Sequence, residues 1–319
     1  MRTRSCLTPL YALLIAALTF AGCKQSPDPG PDADNKPRVA LIMKSLANEF
    51  FVTMAEGAKA HQAAHADQYE LIVNGIKNEN DVAQQVRLID QMIASGVDAI
   101  VLAPADSRAL VPAVEKAQQA GIAVVNIDNK LNDDILAQAG ISVPFVGPNN
   151  REGARKVGEV LARQLEPGDK VAILEGVPTA FNAKQRLQGF QDAMGAAGMD
   201  VVDVQSGYWE QGPANTVAAA MLSEHPDLKA LLCSNDNMAL GAAAAVRHAG
   251  REGDVMIVGY DNISAIHDML KDGRVLATAD QHAAQLAVFG IEYALQLLDG
   301  QTVPGDRETP VDLVTADSL

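Results

Sequence analysis

Polar side chains recur in this chain directly after short apolar runs that are long enough to be buried strands. They are carboxylates, side-chain amides and a lysine, namely Lys44, Asp128, Asn129, Asn235, Asp261 and Gln281. Carboxylates and amides can each make two or more hydrogen bonds, which suits adjacent hydroxyl groups on one ligand. Hydrogen bonds to charged groups contribute about 1.5–3 kcal/mol each. The residue types therefore indicate a site that recognises several hydroxyl groups at once.

The few aromatic residues fit the same chemistry. Phe50 and Phe51 follow the first apolar run, and the single tryptophan of the chain, Trp209, follows a later one. Large aromatic faces suit the apolar face of a sugar ring. Phe50 and Phe51 could instead begin an amphipathic helix, and we expect one of them to face the core because adjacent residues point in different directions on a helix.

Catalytic motifs do not occur in the sequence. It contains no G-x-G-x-x-G motif, no phosphate-binding glycine loop and no G-x-S-x-G elbow. Asp128, Glu175 and Asp261 could be the paired acids of a glycosidase, and their spacing leaves that alternative open. His61 and His65 have the spacing of a metal pair, but their alanine-rich surroundings predict a solvated helix face. We expect no cofactor and no metal.

The elements that would position these residues alternate between strand and helix. Short β-branched runs, from Arg38–Met43 to Val275–Ala279, are separated by segments of helical period. Several of these segments end in glycine, as at Gly96 and Gly250, where a left-handed C-cap is expected. Repeated strand–helix–strand order predicts an α/β fold with parallel sheets buried between helices.

Chain length and a break in the alternation predict two sheets. Residues 38–319 exceed the size at which chains divide into domains. The alternation is interrupted by a polar run between Asn126 and Asn150 and then restarts, which indicates a crossover between two lobes. Open α/β sheets bind ligands beyond the carboxyl ends of their strands, where the polar residues lie.

The N-terminus has the residue order of an exported lipoprotein. Arg2 and Arg4 precede an apolar run that ends at Ala21-Gly22-Cys23, and this order is typical of a secretory signal. The mainly apolar run of thirteen residues from Leu10 to Gly22 is shorter than the roughly 20 residues of a membrane-spanning helix. Cys23 after Ala-Gly resembles the bacterial lipobox. We therefore expect residues 1–22 to be a signal peptide and Cys23 to be acylated.

Composition limits the remaining possibilities. Residues 23–37 contain four prolines and three aspartates, which predicts a disordered tether. After removal of the signal the chain has 23 basic and 40 acidic residues, a net charge of −17, and without a basic cluster nucleic acid is excluded as a partner. Cys6 lies in the signal, so Cys233 is left without a disulfide partner and is predicted to be a core residue.

Four segments resemble the periplasmic sugar-binding proteins of the ribose type, the solute receptors of bacterial ABC importers. The segments are Ala40–Phe51, Cys233–Ala242, Ile257–Asn262 and Leu276–Gln281. The resemblance implies two Rossmann-like lobes with parallel sheets, joined by three hinge strands, that close over one monosaccharide. It implies an N-terminal lobe of residues 38–147 plus 282–311 and a C-terminal lobe of residues 148–281 plus 312–319.

The resemblance also implies which residues bind the sugar. They are Lys44, Asn48, Phe50, Phe51, Asp128 and Asn129 in the first lobe, and Lys184, Arg186, Trp209, Asn235, Asp261 and Gln281 in the second. Lys184 occupies the position of an arginine in the family, and Arg186 is retained nearby. Asn129 occupies the position of another arginine. Lysine lacks the bidentate fork of arginine, which disfavours ribose. The segment around Lys44 is more similar to the allose-binding branch, so we expect an aldohexose such as allose, with ribose or a polyol as alternatives.

The resemblance finally implies partners and a location. We expect a monomer, held by its lipid anchor at the periplasmic face of a membrane or at the cell surface, that delivers its sugar to an ABC transporter permease. A sugar sensor for signalling or chemotaxis and a quorum-signal receptor remain alternatives, and a glycoside-processing enzyme is less favoured. Transcription regulators of the same fold are excluded, because they need a helix-turn-helix where this chain has its signal and tether.

Overall fold

A computed structural model describes residues 36–319 of the chain. The predicted signal peptide, Cys23 and residues 23–35 of the predicted tether lie outside the described residues. Across residues 36–319, no helix combines the length and the apolar character needed to cross a membrane.

Strands and helices alternate along the described chain. The first group is β1 (Arg38–Ser45), α1 (Glu49–Ala64), β2 (Glu70–Ile76), α2 (Val82–Ser95), β3 (Ala99–Leu102), α3 (Val111–Gln119), β4 (Ala123–Ile127), α4 (Asp133–Ala139) and β5 (Phe145–Pro148). The second group is α5 (Asn150–Ala162), β6 (Lys170–Glu175), α6 (Phe181–Ala196), β7 (Asp200–Ser206), α7 (Gln211–Glu224), β8 (Ala230–Cys233), α8 (Asp236–His248) and β9 (Met256–Val258). The last group is α9 (His267–Lys271), β10 (Thr278–Asp280), α10 (Ala283–Leu298), β11 (Arg307–Thr309) and β12 (Asp312–Val314).

The strands form two separate parallel sheets. Six strands pair in the order β11-β5-β4-β3-β1-β2, and four pair in the order β7-β6-β8-β9. A short antiparallel pair, β10-β12, joins the end of the second sheet through a bridge between Val258 and Ala277. The predicted fold class, an α/β fold with two parallel sheets, is confirmed.

The chain passes between the two sheets three times. It leaves the first sheet after β5, returns between β10 and α10, which packs on β3 and β4, and leaves again between β11 and β12. All strands of each sheet run in one direction, so their carboxyl ends lie at one edge of that sheet. The three passages bring these edges of the two sheets together around one cavity.

Both faces of each sheet are buried, as the apolar strands predict. In β1, Leu41 and Met43 pack with α1 and α10, while Ala40 and Ile42 pack with α2 and α3. In β6, alternate residues likewise divide between the cluster of α5 and α6 and that of α7 and α8. The period of two follows from the alternation of side chains along a strand. Cys233 is buried in β8, as expected.

Gln85 fixes the ends of β1 and β3 relative to each other. This fully buried side chain on α2 donates to the carbonyls of Met43 (3.2 Å) and Ala103 (2.8 Å) and accepts from the amide of Ala105 at 2.7 Å. One amide group thus satisfies three backbone groups beside the strand ends. A buried backbone group without a partner costs about 1–3 kcal/mol.

We expect Gln85→Leu to lower the free energy of unfolding by about 2–4 kcal/mol, because it leaves these backbone groups unpaired. Urea unfolding followed by circular dichroism measures the change. The matched control is Gln164→Leu, at an exposed position after α5, which should change stability by less than about 0.5 kcal/mol. Equal effects of the two substitutions would contradict this assignment.

Candidate functional site

A cavity at the carboxyl ends of both sheets brings together ten of the twelve predicted binding residues. They are Lys44, Asn48, Phe50, Phe51, Asp128, Arg186, Trp209, Asn235, Asp261 and Gln281. Together with the open solvent at its mouth, the cavity contains about 230 Å³ of space not filled by protein atoms. Its wall also includes Glu79 and Asn182, which the sequence did not predict as binding residues.

A buried ion pair forms the first-sheet side of the wall. Lys44, near the end of β1, places its Nζ 3.0 Å from Oδ2 of Asp128, which follows β4, and both side chains are almost completely buried. The ammonium group also lies 5.3 Å from the ring centre of Phe51 and 5.6 Å from that of Trp209. The negative faces of these rings favour a cation there.

The N-terminus of α1 positions the two phenylalanines. Asn48 is the N-cap, and its Oδ1 accepts a hydrogen bond from the amide of Phe50 at 3.0 Å. The rings of Phe50 and Phe51 are 5.1 Å apart and nearly perpendicular. Both rings belong to the core and both line the cavity, so they do not divide between core and site as helix geometry alone predicted.

Arg186 on α6 anchors the second-sheet side. Its guanidinium group donates to Oδ1 of Asn150 at 2.7 Å and to the carbonyl of Ser234 at 2.8 Å, and it lies 3.4 Å from Oδ1 of Asp261. It also stacks 3.7 Å above the ring of Tyr260. These contacts hold the guanidinium group in one orientation at the cavity.

Several groups contact the buried carboxylate of Asp261. Its Oδ1 accepts from Nε2 of Gln281 at 2.7 Å as well as from Arg186. Burial raises the pKa of Asp261 well above its ordinary value, and the positive charge of Arg186 acts in the opposite direction. Asn235 caps α8 and donates to the carbonyl of Trp209 at 3.2 Å, which links the tryptophan loop to the same wall.

Trp209 depends on an unusual backbone. Tyr208 and Trp209 have φ angles of 55° and 68°, a left-handed conformation that is uncommon outside glycine. The indole packs directly on Gly176, where any β-carbon would collide with the ring. Glycine at this position is therefore required for the indole to lie against the end of β6.

The other two predicted binding residues do not line the cavity. Lys184 is exposed on α6, whereas Arg186 is buried, because residues two positions apart on a helix point in nearly opposite directions. Arg186 is therefore the basic residue of α6 that lines the cavity, and Lys184 is not. Asn129 is buried beside the cavity, with its amide donating to the carbonyl of Pro104 at 2.9 Å.

Asn129 belongs to a set of hydrogen bonds between the elements of the two sheets. Its Oδ1 accepts from the amide of Asn182 at 3.2 Å, and Oγ of Ser107 accepts from the amide of Phe181 at 2.8 Å. These amides begin α6, whose own N-cap, Ala180, supplies no side-chain acceptor. The loops after β3 and β4 thus satisfy the orphan amides of a helix that belongs with the other sheet.

Glu79 and Asn182 were missed for different reasons. The apolar pattern of the second strand covers Tyr69–Val73, whereas β2 continues to Ile76, so the pattern does not place Glu79 near a strand end. Asn182 lies two residues before Lys184, and the sequence does not predict which side chains at the start of a helix face the cavity. A correct end for β2 was the signal that could have identified Glu79.

Several buried acceptor atoms of the cavity wall have no hydrogen-bond partner within the described part of the chain. They are Glu79 Oε2, Asp128 Oδ2, Asn182 Oδ1 and Gln281 Oε1. Among them, Asp128 Oδ2 forms the ion pair with Lys44. An unsatisfied buried acceptor costs about 1–3 kcal/mol. The arrangement therefore favours a ligand that donates several hydrogen bonds.

Known proteins match nearly all of the described chain. Residues 39–302 match the family described as the periplasmic binding protein domain. The D-ribose/D-allose-binding protein of Pseudomonas aeruginosa is 61% identical over 310 residues, which cover 95% of this chain and 97% of that protein.

Solved structures show the same architecture. A solute-binding protein of an ABC transporter from Burkholderia multivorans, with an unknown ligand represented as α-D-erythrofuranose, is 63% identical with a TM-score of 0.86, over 88% of this chain and 100% of that chain. A periplasmic solute-binding protein from Actinobacillus succinogenes, with bound D-allose, is 34% identical with a TM-score of 0.83, over 89% and 99%. The chain therefore belongs to the periplasmic binding protein family, which its sequence motifs had indicated.

Proposed function

We propose that this chain is an extracytoplasmic receptor, acting as a monomer, that binds an aldohexose such as D-allose and delivers it to an ABC permease. The observation that carries the proposal is the set of buried acceptor atoms without a hydrogen-bond partner on side chains that line one cavity. A pyranose offers several hydroxyl donors around a ring with apolar faces, and the aromatic wall of Phe50, Phe51 and Trp209 suits those faces. The relatives named for D-ribose and D-allose support this ligand class.

Two cations supply the donors that complete this chemistry. Lys44 and Arg186 lie among the acceptors of the cavity wall, so a hydroxyl group can accept from a cation and donate to a carboxylate. Because Arg186 lines the cavity and Lys184 does not, we infer that Arg186 is the family's arginine and that Lys184 does not disfavour ribose. The preference for an aldohexose over ribose rests on Lys44 and on the D-allose bound to the Actinobacillus succinogenes protein, since the Pseudomonas aeruginosa relative is named for both sugars.

We expect Asp261→Asn to remove most of the stabilisation that D-allose gives to the protein. A ligand at about 100 times its dissociation constant adds roughly 2.7 kcal/mol to the free energy of unfolding. The amide removes the negative charge and replaces one of the two carboxylate acceptors by a donor. Thermal melts with and without the sugar measure the difference.

The control for this substitution is Asp272→Asn, an exposed carboxylate that pairs with Arg274. It should keep the full ligand-induced shift of the melting temperature. If Asp261→Asn binds D-allose as tightly as the wild type, the assignment of Asp261 to the site is wrong.

We propose that closure of two lobes is the binding mechanism, with the lobe boundaries predicted from the sequence and the three chain passages as the hinge. Residues from both sheets line the cavity, so a ligand reaches all its contacts only when the lobes are together. Further hydrogen bonds join the two proposed lobes. The first amides of α6 donate to Ser107 and Asn129, and the amides of Ser264 and Ala265 donate to the carboxylate of Glu49. They stabilise the closed state independently of ligand contacts.

Ser107→Ala should weaken D-allose binding about fivefold, because a lost helix cap costs about 1 kcal/mol and this one exists only on closure. Isothermal titration calorimetry measures the dissociation constant. The matched control is Asn132→Ala, which removes the cap of α4 on Ile135 within one lobe. It should lower thermal stability without changing affinity, and the same pattern in Ser107→Ala would contradict the closure role.

We also propose that Cys23 carries the lipid that anchors the receptor, on the support of the residue order before it. A single acyl chain gives only marginal membrane binding, so we expect more than one. Cys23→Ala should lose both the incorporation of an alkyne-labelled fatty acid and the membrane association of the protein. Cys6→Ala, in the signal, should retain both, and label that persists in Cys23→Ala would exclude this anchor.

A further inference from the structure

Glu79 lies in the cavity wall, where a bound ligand would contact its side chain. It follows the carboxyl end of β2, precedes α2, and is only 2% exposed. It lies where the cavity meets the interlobe groove that is also lined by Asn48 and Trp209. A carboxylate buried in such a place needs a partner for each of its oxygens.

The protein satisfies one carboxylate oxygen of Glu79 and leaves the other free. Asn48 Nδ2 donates to Oε1 at 2.9 Å, and the same Asn48 side chain is fixed through Oδ1 as the cap of α1. Glu79 Oε2 is buried and has no hydrogen-bond partner in the described chain. The helix start therefore holds the carboxylate in one orientation, and Oε2 is an unpaired acceptor on a side chain that lines the cavity.

The surrounding charges make the burial of this unpaired oxygen unfavourable in the absence of a ligand. Burial raises the pKa of Glu79 to about 7, the charge of Lys44 and the hydrogen bond from Asn48 lower it, and the charges of Asp128 and Glu210 raise it. Lys44 is already paired with Asp128, so it does not neutralise Glu79 alone. A hydroxyl donor from a ligand would supply the missing interaction.

We propose that Glu79 is a specificity-determining residue that accepts a hydrogen bond from one particular hydroxyl group of the sugar. The assignment rests on the proposed function and names one contact within it. A carboxylate can only accept, so this position selects a hydroxyl and rejects a hydrogen or an ether oxygen in its place. The second hydrogen of Asn48 Nδ2 is available to the oxygen of the same hydroxyl, so that Asn48 both orients Glu79 and completes the recognition.

The test compares the wild-type protein and Glu79→Gln against D-allose and its single-deoxy analogues by calorimetry. The amide preserves size and the acceptor for Asn48 but presents a donor at the Oε2 position. We expect Glu79→Gln to bind D-allose at least about tenfold more weakly. One analogue, lacking the hydroxyl that Glu79 binds, should instead bind both proteins with similar affinity. The surface substitution Glu166→Gln, at an exposed position, should leave every dissociation constant unchanged.

The pH dependence of the wild type gives a second readout that does not depend on a variant folding. The ligand favours the ionised carboxylate, so affinity should be highest above about pH 7 and should fall as the pH is lowered through that value. Glu79→Gln should lack this component, and any remaining slope belongs to other acids of the wall such as Asp261. Circular dichroism melts establish that the variant is folded.

The outcomes separate the two proposals. Wild-type protein that binds none of these sugars contradicts the proposed function and, with it, the role of Glu79. Wild-type protein that binds D-allose while Glu79→Gln binds it equally well overturns the role of Glu79 alone. An equal loss of affinity for all analogues overturns it too, since a contact with one hydroxyl must spare the analogue that lacks that hydroxyl.

Discussion

Two buried ion pairs hold the polar strand ends together, and the site depends on them. The Lys44–Asp128 pair lies at the end of the first sheet, and the Arg186–Asp261 pair lies at the end of the second. An unpaired charge buried at either place would cost several kcal/mol. Each charge therefore requires a partner from another element. Lys44 finds it after another strand of the same parallel sheet, and Arg186 on α6 finds it in Asp261 after β9. Aromatic rings also lie within about 6 Å of both cations and favour positive charge there.

The backbone is strained at three residues whose side chains line the cavity. Asp128, Trp209 and Asp261 have φ angles of 63°, 68° and 120°, and non-glycine residues in such regions cost about 1–3 kcal/mol each. The strain is located where the side chains turn from the strand ends towards the cavity. The unpartnered acceptors lie on the same wall. Strain and unsatisfied hydrogen bonding are thus concentrated in the part of the chain that a ligand can stabilise.

Much of the fold was predictable because its signals are local. Apolar runs with turn residues identify the strands, and their alternation with helices predicts parallel sheets buried on both faces. Much of the site followed from one topological rule, since residues at strand ends of one sheet must be neighbours. Glu79 was not predicted because the apolar pattern of the second strand ends at Val73, whereas β2 ends three residues later at Ile76. The end of this strand depends on its pairing with β1, which a local pattern does not contain.

The sequence by itself determined the two-sheet α/β architecture, the family and most of the residues that meet at the cavity. Only the tertiary structure decided which side chains face it. Lys184 and Arg186 are both basic and two residues apart, and helix packing buries Arg186 and exposes Lys184. Asn129 has the residue type of a ligand group, but the approach of α6 makes it a helix cap. Residue type and spacing describe what a side chain can do, whereas its hydrogen-bond partners depend on elements distant in the chain.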